Sequence, residues 1–121
     1  MLQTTVCKQV HFEAAHLVEG HPKCGRLHGH SYVVNIFARG PVSPHTGFVI
    51  DFADMKALAE RVILTPCDHQ YLNDLYPNMN GRTTAENLAA LWLKELNTLN
   101  QTIFRVQVYE TATAFAEVEI L

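Results

Sequence analysis

The sequence predicts an α+β fold, a four-stranded antiparallel sheet with two helices on one of its faces, in the order ββααββ. Two long N-terminal segments alternate apolar and polar residues with the period of a strand. Two central segments carry the i, i+3, i+4 apolar spacing of amphipathic helices. The C-terminal segment returns to β-rich runs split by a short turn.

The first strand is Thr4–His16, where Val6, Val10, Phe12 and Ala14 share one parity with His16. Leu17 to Gly25 is rich in Gly, Pro and charge and reads as a loop. His28–Arg39 (HGHSYVVNIFAR) is the second strand, with Tyr32, Val33, Val34, Ile36 and Phe37, and should pair antiparallel with the first. Gly40 to Gly47 is a turn-rich connection. Asp51 is placed to cap a helix over FADMKALAERVI, whose stripe is Phe52, Met55, Leu58, Ala59 and Val62. Thr65 to Gly81 is irregular. Thr83 with Glu86 three residues later reads as a capping box, opening a helix through Leu88, Leu91, Trp92 and Leu96. Ile103 to Glu110 and Phe115 to Leu121 complete the sheet, split at Thr111 to Ala114. The helices leave the other sheet face and the edges uncovered, which in so short a chain favours self-association through the edges.

Composition limits the function classes. The 121 residues suit a single domain spanning 1–121, and 48% hydrophobic with 17% charged residues is a globular balance. A net charge of −3 with nine scattered Lys and Arg residues offers no nucleic-acid footprint. No apolar run reaches the roughly 18 residues of a membrane span. The N-terminal MLQTTVCKQV lacks the basic-then-apolar pattern of a leader, so the expected location is cytoplasmic. Cys7, Cys24 and Cys67 are odd in number and irregularly spaced, as expected of reduced thiols rather than a disulfide framework.

The histidines carry the chemistry. His28 and His30 project from one face of a strand, Gly29 leaves the opposite side bare, and an antiparallel partner brings His16 beside them. Three neutral imidazoles with one open position describe catalytic zinc, whereas structural zinc is closed by four protein ligands. Taken alone, a His-x-His pair in a strand is more often an ordinary core or surface feature than a metal site. His11, of opposite parity to His16, and His21 and His45, in loops, receive that ordinary reading. The run Cys24-Gly-Arg-Leu-His28-Gly-His30 after His16 favours the metal.

Taken together, these segments resemble the 6-pyruvoyltetrahydropterin synthase family. The matching pieces are FEAAH at Phe12–His16, CGRLHGH at Cys24–His30, PHTGFVIDF at Pro44–Phe52, CDHQYLND at Cys67–Asp74, RTTAENLA at Arg82–Ala89 and VYETATA at Val108–Ala114. The three-residue spacer Gly25-Arg26-Leu27 resembles the 6-carboxytetrahydropterin synthase branch of queuosine (7-deazaguanine) biosynthesis; pyruvoyl-forming members have a longer one. The resemblance implies the tunnelling fold, with strands assembled into an oligomeric barrel, a homo-oligomer packed as a hexamer, and active sites between subunits. It implies a lyase that converts 7,8-dihydroneopterin triphosphate and water to 6-carboxy-5,6,7,8-tetrahydropterin, acetaldehyde and triphosphate.

On this resemblance Zn2+ is held by His16, His28 and His30. Cys24 is the general base, its thiolate favoured beside a dication and Arg26. Asp68 and His69 form a second acid–base unit acting across a subunit boundary. Glu110 anchors the pterin by accepting paired N–H donors and joins the proton relay, with Thr111 and Thr113 as further hydroxyl contacts. Lys23 and Arg26 are candidates for the triphosphate. The alternatives are a pyruvoyl-type synthase, a folate-pathway relative acting on dihydroneopterin, and a non-catalytic zinc- or pterin-binding protein.

Overall fold

The computed structural model describes residues 2–121. Strand β1 (Thr4–His16) turns through the loop 17–27 into β2 (His28–Gly40). Helix α1 (Phe52–Ala59) runs through a π-helical segment (Glu60–Leu64) into the short α2 (Thr65–Cys67). A two-residue strand β3 (Gln70–Tyr71), helix α3 (Leu72–Leu75) and a 3-10 turn (Pro77–Met79) lead to α4 (Ala85–Leu99). Strands β4 (Ile103–Thr111) and β5 (Ala114–Glu119) close the chain.

The sheet order is β3-β1-β2-β4-β5. The four expected strands pair antiparallel as anticipated, and β3 is an unanticipated fifth, parallel to Ala14 and Ala15. Two residues are too few to leave a period-2 signature, so sequence patterning cannot register such a strand. β1 and β2 pair through 13 consecutive residues, from Thr4↔Gly40 to His16↔His28. An unbroken ladder transmits parity faithfully. Val10, Phe12, Ala14 and His16 of β1 and Tyr32, Val34, Ile36 and Ala38 of β2 are all buried on one face.

Onto that face pack Met55 of α1, Val62 and Ile63 of the π segment, and Leu88, Trp92 and Leu96 of α4. The π segment corrects the expectation of a plain helix over this stretch. The Thr65 N–H bonds the Glu60 carbonyl five residues back, just ahead of Pro66, whose missing N–H and bulky ring disturb the ordinary ladder. The capping box is also corrected. Helix α4 is capped by Thr84, whose side chain accepts from the Asn87 N–H at 3.2 Å, so Thr83 lies outside the helix.

The opposite face of the sheet mixes apolar side chains such as Val33, Phe37 and Phe115 with a polar row. Gln9 donates to Asn35 at 2.9 Å, Asn35 to Gln107 at 3.1 Å, and Gln107 to Glu117 at 2.9 Å, a ladder of side chains across the four long strands. Arg105 adds an ion pair to Glu119 at 2.7 Å. The outer edge of β5 is unpaired, and β1 pairs on its outer side only at Ala14 and Ala15 among the described residues. No helix is long and apolar enough to cross a membrane among the described residues.

Candidate metal centre

Pairing of β1 with β2 sets His16 directly opposite His28, and His30 two residues further along the same face. The three ring centroids stand 4.6, 5.0 and 4.8 Å apart. One nitrogen of each ring lies within 4.8 Å of the other two, a set that contains neither Cys24 nor His69. The site sits at the loop end of the β1–β2 hairpin, on its helix-covered face. His16 is almost fully buried, and His28 and His30 are half-buried.

Tautomers follow from the partners. His16 Nδ1 lies 2.7 Å from the Thr83 carbonyl and His28 Nδ1 lies 2.7 Å from the Arg26 carbonyl. A carbonyl has no proton to give, so each Nδ1 carries the hydrogen and each Nε2 presents a lone pair. Burial lowers the pKa of His16 and of His30 below the ordinary imidazole value, despite the opposing pull of Glu110, which keeps both rings in the neutral, ligating form.

This donor set fits a metal ion. Tetrahedral bonds of about 2.0–2.1 Å hold ligand nitrogens about 3.3 Å apart. The His16 and His30 Nε2 atoms are 3.1 Å apart.

Glu110 faces the same nitrogens, its Oε2 3.4 Å from His16 Nε2 and 3.9 Å from His30 Nε2. It is the extra residue of a bulge, because Tyr109 pairs with Phe115 while Ala114 pairs with Thr111. Thr111 is exposed at the end of β4 and shares with Glu110, Tyr109 and Asn35 a cleft of about 570 Å³. Glu110 also borders a second cleft of about 450 Å³ with Glu86, a carboxylate read from the sequence only as a cap.

Cys24 is a free, half-buried thiol in the loop between the two histidine-bearing strands. Its carbonyl accepts from Val18 at 2.7 Å. Its N–H and that of Lys23 both donate to His21 Nδ1, at 2.8 and 3.1 Å. His21, given an ordinary reading from sequence, is therefore the internal cap of the Cys24 loop. Lys23 and Arg26 are exposed in the same loop.

Asp68 and His69 touch each other, with Oδ1 3.0 Å from Nδ1. His69 has a φ of +60°, unusual for a residue with a Cβ, and its N–H donates to the Glu13 carbonyl at 2.6 Å. Asp68 accepts from the Glu13 N–H at 3.0 Å. That bond, followed by the one with His69, holds its carboxyl below the usual range. The pair sits at the β1 edge, with the His69 side chain 77% exposed, and His69 borders a cleft of about 520 Å³ that His30 also lines.

Residues 5–120 match the sequence profile of 6-pyruvoyl tetrahydropterin synthase. The chain belongs to that family. A 6-carboxy-5,6,7,8-tetrahydropterin synthase of Haemophilus influenzae is 33% identical over 135 aligned positions, covering 93% of this chain and 96% of the relative. One of the same name from Synechocystis is 33% identical, covering 92% of this chain and 89% of the relative. The solved 6-pyruvoyl tetrahydropterin synthase of Caenorhabditis elegans superposes with a TM-score of 0.89 at 25% identity, over 100% of this chain and 98% of that one. Family members are lyases, and the sheet with helices on one face is the family's tunnelling fold.

Proposed function

We propose that this chain is a zinc-dependent 6-carboxy-5,6,7,8-tetrahydropterin synthase of queuosine (7-deazaguanine) biosynthesis. It converts 7,8-dihydroneopterin triphosphate and water to 6-carboxytetrahydropterin, acetaldehyde and triphosphate. The observation that carries the reading is the gathering of one ring nitrogen from each of His16, His28 and His30 within 4.8 Å of one another, with the Glu110 carboxylate 3.4 Å from His16 Nε2.

Zinc held by His16, His28 and His30 supplies Lewis-acid stabilisation of negative charge on the substrate's side-chain oxygens. Cys24 takes protons from the carbons of that side chain. His69, oriented by Asp68, moves protons to and from the reacting centre. Glu110 accepts hydrogen bonds from the pterin's amide edge and joins the relay, and Thr111 adds a hydroxyl contact. The pterin ring gains its two electrons from the side chain, which is cleaved between carbons, so no external reductant enters.

The substrate is a small pterin; nucleic acid and membrane play no part. Asp68–His69 of one subunit serves the metal centre of the next, and the chain, a single domain, assembles as a hexamer of barrel-forming trimers. The open strand edges and the exposure of His69 support this assembly. A cytoplasmic location is supported by three unpaired thiols, Cys7, Cys24 and Cys67.

The rival is a pyruvoyl-forming synthase, favoured by the name of the Caenorhabditis relative. The three-residue spacer between Cys24 and His28 supports the carboxy-forming reaction. One sample, assayed for acetaldehyde and for bound metal, separates them. Acetaldehyde equimolar with triphosphate and about one zinc per subunit is expected; triphosphate release without acetaldehyde overturns the assignment. Cys24→Ala should abolish turnover while leaving zinc content unchanged, and normal turnover would remove Cys24 from the mechanism.

A further inference from the structure

We infer that Asn73 and Thr83 are positioning residues of the metal centre, setting the tautomer and aim of His16 from behind; this rests on the metal reading above. The residue after His16 is where the sheet ends, and three contacts fix that end. Asn73 Oδ1 accepts from the Leu17 N–H at 3.1 Å, and Asn73 Nδ2 donates to the Leu17 carbonyl at 3.0 Å. The side-chain amide thus occupies the place of a neighbouring strand residue, extending the ladder one step beyond His16. Thr83 Oγ1 then donates to the same Asn73 Oδ1 at 2.9 Å.

The Thr83 carbonyl is consequently locked relative to β1, and that carbonyl holds His16 Nδ1 at 2.7 Å. Alongside, Glu19 N–H bonds the Gly81 carbonyl at 2.9 Å and Val18 bridges to Arg82, so residues 17–19 and 81–83 form a miniature antiparallel pair. Gly81 suits this position because its φ is +75°, a conformation that side chains with a Cβ rarely adopt.

Thr83 is fully buried, and its hydroxyl is free for this work because Thr84 caps α4 in its place. Outer partners of a metal-bound imidazole typically contribute a factor of about 10–100 in metal affinity.

The test is Zn2+ affinity of the full chain, measured by competition with a chromophoric chelator, beside the melting temperature of the metal-free protein. Thr83→Val removes the hydroxyl and keeps the shape; affinity should fall by about 10–100-fold. Thr83→Ser restores the donor and should restore affinity. Asn73→Ala should weaken binding similarly. Combined with Thr83→Val it should add little, since both sever one chain of contacts. The Co2+-substituted variants should show altered visible absorption, reporting a displaced ligand. Unchanged zinc affinity in Thr83→Val, with or without a lowered melting temperature, overturns the inference. Absence of zinc binding by the unmutated chain instead overturns the metal reading itself.

Discussion

Replacing Tyr76 by phenylalanine deletes one oxygen that serves two buried partners. The indole N–H of Trp92 donates to the Tyr76 hydroxyl at 3.1 Å, and the same oxygen lies 3.2 Å from the Cys67 sulfur. Trp92 and Cys67 are fully buried, and burial pushes the Cys67 thiol up to about 11, so it stays protonated. Tyr76→Phe therefore strands the indole N–H without water, at a cost of about 1–3 kcal/mol. Unfolding entropy of about 2.1 cal/mol/K per residue gives about 0.25 kcal/mol/K for this 121-residue chain, so the melting temperature should drop by about 4–12 °C. The assay is thermal unfolding by far-UV circular dichroism at fixed protein concentration, because assembly would add its own stability. Trp92→Phe, made in the Tyr76→Phe background, removes the stranded donor and should cost less than it does in the unmutated chain. A Tyr76→Phe melting temperature within 1–2 °C of the parent, or strictly additive costs, would refute the idea that the hydroxyl satisfies Trp92.

Further outcomes can be checked with single substitutions. The Asp68 carboxyl is held low by the Glu13 N–H and then by His69, so its stabilising effect is complete above the ordinary carboxylate range and lost as pH falls through the depressed value. Asp68→Asn should melt below the parent at pH 6, with the gap closing as the pH is lowered past about 4. A gap that widens in acid contradicts the assignment. His21→Ala frees the N–H groups of Lys23 and Cys24 and should cut kcat by about tenfold and alter the alkylation rate of Cys24. His21→Asn, whose amide oxygen can accept from the same backbone, should restore both. Thr84→Ala should cost about 1 kcal/mol as a lost helix cap while leaving zinc affinity unchanged, the converse of Thr83→Val.

Much of the fold is legible in the sequence, because strand parity and helical spacing survive wherever one face is buried. Thr4–His16 alternates cleanly, and that alternation already puts His16 on the face that covers His28 and His30. The legibility ends where a residue's role depends on a distant partner. Asn73 and Leu17 are neighbours only once the sheet has formed, and nothing in the LND text marks the amide as a strand extender. Thr83 carries the local signature of a cap, yet tertiary contacts claim its hydroxyl and pass the cap to the next threonine. The π segment ahead of Pro66 leaves the apolar stripe largely intact, so periodicity reads straight through it. Glu110 gains its place from a one-residue bulge, a register event that one strand's sequence does not encode.

The loop 17–27 leaves β1 at His16 and enters β2 at His28, two residues that face each other across the ladder and both belong to the histidine cluster. The loop behaves as a cartridge mounted on a fixed base. Between residues 17–19, pinned to Asn73 and 81–83, and Arg26, whose carbonyl holds His28, its length and contents can vary while the ligand cluster keeps its shape. Doubling such a loop adds only about 0.6 kcal/mol of closure entropy. Insertion or deletion there could change the setting of Cys24 while the three histidines stay in place. Loop transplantation between members of the family tests whether this segment sets the product.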